Sequence, residues 1–597
     1  MQVKSGAVAA NKKAEINKGQ DQVHQWLADY AESHDPALRD VIIQASLPLV
    51  KRIAYGLARR STDPVEDLIQ VGSIGLIKAV DQFKPDAGLR FTALTFDSLW
   101  LDEGYQTIME SYGNPLPDLL NSSGKSFLYK PGNPASIEKV LTNFRAVDPL
   151  CPPLFAILIN RWLTIFGGSD FALRGFSVLC SLLSITLTYF FGCSFFGKRP
   201  GLYAALLQAI SPFDIAYAQE ARMYSLCTLL ATLSGGSLLY LCLHRKSPHV
   251  KLFAGLYVIS TWALINSHYT QLFFWVFAIL LGLIIAILRK DWRLAAYVLA
   301  ANLCIVILSL PWLPLFLQAA SIHTASFYIA RAPSLFWPIW ALLIRIPFNW
   351  LVFLSGKKVM LWAIPVYLSS AVLIAQAYPY LNEYLRQVRD KSKDKHSPAD
   401  PTINYTIFLI FLWAIIPALM IWIVDVIESH RIIEISRYII CTAPAIFLLA
   451  GYGLSVFSPK RYFFPIAIAH TGFCLANNAY LHIVPQKEPW RQVAQVIERV
   501  AKQDDLLFVS NYYNIVCLDR YLHNPLRQIG VSATTGTLTI EQTLNFNGNG
   551  SSNISPGFWV LTAQEGDSIF NTIPKSFRVT EQYDFPHALH LRKYQKL

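Results

Sequence analysis

The chain has 597 residues, of which 53% are hydrophobic and only 15% charged, a balance that excludes an ordinary soluble enzyme and fits a multi-spanning membrane protein. The net charge of +12 would point to nucleic acid only if the cations clustered on one domain. They do not: in residues 1–97 seven Lys and five Arg meet twelve Asp and Glu, and the excess lies beyond, largely in short loops between apolar runs.

The first residues are polar, with Lys12, Lys13 and Lys18 followed by no apolar run of signal-peptide type. The stretch LRDVIIQASLPLVKRIAYGLARR then alternates apolar and polar faces at helical spacing. A second helix starts at Asp63, a suitable N-cap, with Pro64 at the first helical position and Glu66 completing a capping box. Val65, Ile69, Gly72, Leu76 and Val80 follow at steps of three and four, which makes one buried face. Pattern alone predicts a small helical bundle. The wording of residues 36–96, above all DLIQVGSIGLIKAVDQF, resembles region 2 of the sigma-70 family of RNA polymerase sigma factors. That resemblance implies a contact with RNA polymerase. It implies no direct DNA recognition, because the promoter-reading segment that follows in the family is absent after about Phe96.

Residues 98–149 open the second part, and Asp102 and Glu103 stand there among aromatics in SLWLDEGYQ. Apolar runs long enough to span a bilayer, about twenty residues each, lie near 173–195, 201–217, 223–243, 251–267, 270–288, 296–316, 359–377, 406–426, 437–456 and 462–483. The run 150–166 is short and is expected at the outer interface. The stretch 334–354, which carries Arg345, Pro347 and Asn349, reads as re-entrant or surface-lying. Basic loops at Lys198/Arg199, Arg245/Lys246/Lys251, Arg289/Lys290/Arg293, Arg386 to Lys395 and Lys460/Arg461 then face the cytoplasm together. The other side holds the Asp102–Glu103 loop, AQEARMY (218–224), NSHY (266–269) and ISRY (435–438). After residue 484, helical EPWRQVAQVIERV and strand-like DLLFVS and GFWVLTA predict a small extracytoplasmic α/β domain. The nine cysteines form no CxxC pair and no zinc-spaced cluster, so no disulfide framework is expected.

Singly, these motifs have plain alternatives. An Asp–Glu pair is usually a solvated loop, arginines at helix ends snorkel, and His-Tyr dipeptides belong to interfacial belts. In order, SLWLDEGYQ, DPLCPPLFAILINRW, SPFDIAYAQEARMYSL, SHYT and SRYIICTAPA resemble the GT-C glycosyltransferases, in particular the protein O-mannosyltransferase and aminoarabinose transferase group. The resemblance covers residues 98–597 and implies a polytopic helical bundle of about 10–12 spanning helices in the plasma (inner) membrane. It also implies inverting transfer of a sugar from a polyprenyl-phosphate donor to a hydroxyl of a lipid, protein or glycan acceptor on the outer face. By the same resemblance Asp102 is the general base, and Glu103 orients the acceptor or helps hold a divalent metal ion. Arg222 and Arg437, with Tyr224, His268, Tyr269 and Tyr438, would bind donor phosphate and sugar. Asp148, Gln219 and Glu220 are supporting residues.

Two departures stand out. The family usually has His before Pro-Pro-Leu where this chain has Cys151. Its first transmembrane helix, which delivers the acid pair to the outer side, is replaced here by the sigma-like segment, which implies a fusion with impaired transfer. Two other readings are a transcription protein with a membrane anchor and a non-catalytic lipid-carrier binder.

Overall fold

A computed structural model describes residues 136–147, 151–321, 372–383, 401–483, 487–531 and 557–597, less a few positions within these spans, and scattered helical positions between 37 and 47. The chain divides into two compact units, Met1–Arg90 and Phe91–Leu597. In the first, the described positions Ala37, Asp40, Val41, Ile43, Gln44 and Leu47 are helical. The remainder of the sigma-like segment, the stretch 334–354 and nearly all of the span expected at 359–377 lie outside the described residues.

The second unit is mostly helical. Six helices among the described residues are long and apolar enough to cross a membrane: Asp170–Phe196, Tyr224–Leu243, Tyr269–Ile287, Trp292–Gln318, Ile403–Glu428 and Arg437–Ser455. Two shorter apolar helices, Leu154–Phe166 and Val250–Ile265, accompany them. The described part is therefore a multi-pass membrane protein. Local chemistry sets the helix ends. Ser169 caps α1 (Asp170–Phe196) by accepting from the Ala172 N–H at 3.1 Å, and Gly197, at φ 92°, ends it with its N–H on the Cys193 carbonyl at 3.0 Å.

The run expected to span at 201–217 is instead broken into α2 (Lys198–Ala209) and α3 (Pro212–Ala218). Ser211 caps α3 by accepting from the Asp214 N–H at 3.3 Å, and Pro212, which has no N–H, cannot continue α2. Hydropathy does not register that break. α2 lies tight on its neighbours: a Cβ added at Gly201 would stand 2.6 Å from the Cys193 backbone nitrogen of α1. Small residues permit such backbone contact between apolar helices, where lipid offers no hydrophobic reason to associate.

The C-terminal region folds as the expected α/β unit. Its sheet has the order β2-β1-β3-β5-β4, with β1 (Leu506–Ser510), β2 (Arg527–Val531), β3 (Gly557–Thr562), β4 (Phe577–Phe585) and β5 (Leu589–Lys596). β1 pairs parallel with β2 and β3, and β5 pairs antiparallel with β3 and β4. β1 and β3 are buried on both faces, which is why they read as unbroken apolar runs. Leu507, Val509, Trp559 and Leu561 pack with Trp490, Val493 and Ile497 of the helix Trp490–Val500, and Leu506, Phe508, Phe558 and Val560 form the core of the other face.

Candidate active site

The motifs singled out in sequence lie at helix ends, and the fold brings three of them together. AQEARMY follows α3 and leads into α4 (Tyr224–Leu243). NSHY follows α5 (Val250–Ile265), and SRY opens the turn Ser436–Thr442 that leads into α6 (Ala443–Ser455). Because α4 leads away from the motifs and α5 leads back to them, Lys246 between the two helices and Lys251 at the start of α5 lie at the opposite end. The basic residues at 198–199, 290–293 and 460–461 share that opposite end by the same alternation.

Tyr224 is the hub. The Arg222 guanidinium carbon stands 5.7 Å from its ring centroid and that of Arg437 stands 5.6 Å away. Arg437 also lies 5.8 Å from the Tyr438 ring, and Arg222 Nη2 donates to the Tyr224 hydroxyl at 3.5 Å. The His268 ring sits 5.1 Å from Tyr438 and 6.3 Å from Tyr224. Arg222 is buried, 6% exposed, and its carbonyl accepts from the Ser177 hydroxyl at 3.3 Å. Aromatic faces can hold two guanidinium groups close together through cation–π attraction. The result is an aromatic-walled spot that carries two guanidinium groups, with the Glu220 carboxylate also acting on Tyr217, and the forked donors of the arginines suit a phosphate.

His268 reads the same field. Burial, then Arg222 and Arg437, push its imidazole down to about 3, so it is neutral at physiological pH. Its Nδ1 accepts from the Thr270 N–H at 3.2 Å, which puts the ring proton on Nε2 and makes that atom a donor. An unfolded His268 takes a proton near 6.5, whereas the folded one stays neutral to about 3. The folded pKa is depressed, so this residue leaves stability unaffected above 6.5 and lowers it as pH falls from 6.5 toward 3. Melting temperature measured across that window should fall less for His268→Gln than for the native chain. An anion held by the two arginines offsets two of the three causes and should narrow the difference.

Other expected residues are adjacent. The Gln219 carbonyl accepts from Lys487 Nζ at 3.3 Å, and the Glu220 N–H donates to the Tyr217 carbonyl at 3.3 Å, so both shape the end of α3. Tyr269 packs edge-on against Phe316, with centroids 5.5 Å apart. Asp102, Glu103 and Asp148 lie outside the described residues. Cys151 packs against Val140 and Ala156, and the nearby Leu154 N–H donates to the Asn266 carbonyl at 3.3 Å, which joins the Cys-Pro-Pro-Leu turn to the NSHY loop. The fold adds Tyr217, whose ring meets Tyr224 edge-on at 4.9 Å. It lies five residues before Arg222 in the same quoted motif, and that membership is its only signal in the sequence. No group of three or more His, Cys, Asp or Glu that could hold a metal occurs among the described residues.

The C-terminal unit sits at this same end. Lys487 touches the motif loop, and Asp170, at the start of α1, is held by three residues of the α/β unit. Arg491 Nη2 donates to it at 2.7 Å, Arg520 Nε at 2.6 Å and the Tyr521 hydroxyl at 2.9 Å.

Comparison with known proteins divides the chain in the same way. Residues 151–313 match the family described as dolichyl-phosphate-mannose-protein mannosyltransferase, and residues 42–96 match sigma-70 region 2. The N-terminal match extends to RNA polymerase sigma-F factor of Kitasatospora aureofaciens, 48% identical over 54 residues, 9% of this chain and 18% of that one. It extends also to RNA polymerase sigma factor RpoS of Coxiella burnetii, 40% identical over 67 residues, 11% of this chain and 18% of that one. The chain thus spans less than a fifth of the length of the sigma factors it matches. Among solved structures, apo ArnT from Cupriavidus metallidurans superposes with a TM-score of 0.51 at 13% identity, covering 84% of this chain and 95% of that one. The chain therefore joins a segment resembling sigma-70 region 2 to a multi-pass membrane region that shares the fold of ArnT and, over residues 151–313, matches the mannosyltransferase family.

Proposed function

We propose that this chain is a membrane glycosyltransferase that takes a sugar from a polyprenyl-phosphate carrier and transfers it, with inversion, to a hydroxyl acceptor on the outer face. The observation that carries the reading is the convergence of Arg222 and Arg437 over Tyr224, beside a neutral His268. Departure of the sugar leaves a phosphate whose charge grows through the transition state. Two guanidinium groups fixed in a desolvated, aromatic-walled site stabilise that charge without reorganising, and their forked geometry matches phosphate oxygens. His268 can donate through Nε2 to a phosphate or sugar oxygen. The family matched by residues 151–313, named for dolichyl-phosphate-mannose, supports the donor class.

An acceptor hydroxyl also needs a base. That role falls to Asp102, with Glu103 orienting the acceptor and Asp148 supporting the pair. The α/β unit, which shares the site's end of the bundle, lies on the outer side. Asp102 must reach that side to meet the arginines. The experiment is transfer of radiolabelled sugar from polyprenyl-phosphate donors in membranes bearing the chain or its Asp102→Asn variant. The variant should lose 10²–10⁴-fold, the usual worth of general-base catalysis. Equal transfer by both would remove Asp102 from the mechanism. Undiminished donor binding with no transfer by either would favour a carrier-binding protein. A reporter at residue 120 tests the topology: a cytoplasmic signal means the acid cannot meet the arginines.

A further inference from the structure

At the end of the bundle away from the arginine site, the structure holds a cavity of about 1190 Å³ between the segment Tyr240–Lys251 and the segment Lys290–Tyr297. α4 separates the two sites by 20 residues, about 30 Å of helix. Among the described lining residues Lys246, Lys251, Lys290 and Arg293 face one carboxylate, Asp291, and that carboxylate caps the next helix by accepting from the Leu294 N–H at 3.1 Å. The His244 Nε2 is buried there without a hydrogen-bond partner.

The turn that supplies Lys290 costs backbone energy. Its φ of 52° is in the left-handed region, and it is the one non-glycine residue there among the described positions. The Lys290 N–H donates to the Ile287 carbonyl at 3.0 Å and the Asp291 N–H to the Ala286 carbonyl at 2.8 Å, the helix-ending hydrogen-bond pair whose left-handed position usually belongs to glycine. Lysine in that position puts a cation at the cavity mouth at the expense of local strain, a pattern that marks functional sites.

We propose that this cavity binds the phosphate-bearing headgroup of an anionic phospholipid. The four cations supply recognition of a phosphodiester, and free phosphate presents the same chemistry. The surroundings favour the lipid. Leu252, beside Lys251, is 58% exposed, and Ile287, three residues before Lys290, is 59% exposed, so the segments that supply these cations also present exposed apolar side chains suited to acyl chains. The proposal is independent of the transferase reading, because no cavity residue touches the arginine site.

The full-length chain, purified in detergent and stripped of lipid, provides the test. Phosphatidylglycerol micelles should raise its melting temperature in a saturable way, while phosphatidylcholine micelles and matched inorganic phosphate should not. Lys251→Gln combined with Arg293→Gln should weaken the phosphatidylglycerol response about 25-fold, on the basis of about fivefold for each cation near a membrane surface. Lys290→Gly should weaken it about fivefold, and because glycine relieves the positive φ, a folding defect cannot imitate that loss. The control pair Lys198→Gln with Arg199→Gln removes equal charge from the start of α2, at the same end, and should leave the response intact. An equal loss in the control pair, an undiminished response in Lys290→Gly, or full stabilisation by inorganic phosphate alone would each overturn the lipid site.

Discussion

Arg437→Gln is expected to lower sugar transfer by 10²–10³-fold while the protein remains folded. Loss of one fixed donor from a site that stabilises developing negative charge typically costs 10²–10³ in turnover. Arg437 opens its span and stands 5.6 Å from the Tyr224 ring that Arg222 also faces, so in the proposed mechanism both cations serve the leaving phosphate. Arg437→Lys keeps the charge but loses the planar fork, and should fall between the native chain and Arg437→Gln. Arg222→Gln should resemble Arg437→Gln, and the double variant should cost less than the product of the two, because residues that act as a unit are not additive. Tyr224→Phe keeps the ring and should leave most activity. Transfer measured in proteoliposomes at saturating donor distinguishes these outcomes. Variants of both arginines that turn over at the native rate would exclude the cluster from the chemistry.

The second large effect concerns stability. Asp170 is 5% exposed and accepts from Arg491, Arg520 and Tyr521, while Arg520 Nη2 also donates to the Gly168 carbonyl at 2.8 Å. As an acid in the first turn of α1, it also meets the positive end of the helix dipole. Asp170→Ala strands the Arg520 guanidinium, itself only 5% exposed, and should cost about 3–5 kcal/mol, the usual penalty for removing one partner of a buried pair. Arg491 is 34% exposed, so Arg491→Gln should cost far less, about 1 kcal/mol or under. The expected signature is early release of the α/β unit, read as protease cleavage near residue 485 at temperatures where the native chain resists. Equal resistance in Asp170→Ala would mean that the clamp contributes no anchoring.

The two effects are linked by position. The clamp and the Lys487 contact to the Gln219 carbonyl hold the α/β unit at the end where the arginines converge. Weakening the clamp should therefore reduce transfer as well as stability, though without changing the arginines themselves.

Much of this protein was legible in its sequence, for a physical reason. A bilayer-spanning helix is specified by a continuous apolar run, and orientation by the cations beside it; both are local properties of the chain. The order of SPFDIAYAQEARMYSL, SHYT and SRYIICTAPA, and the strands around Leu507 and Trp559, were readable in the same way. Tertiary structure alone decided what those segments do to one another. Arg222 and Arg437 are more than two hundred residues apart, and only helix packing puts both over Tyr224. The same holds for Asp170 with Arg520, and for the cations that line the cavity at the far end. The break at Ser211–Pro212 also escaped hydropathy, because capping and a missing N–H are hydrogen-bonding facts that apolar character does not encode. Sequence determined which residues reach each end of the bundle; packing determined which of them meet, because a side-chain pair across helices depends on distances that no local pattern contains.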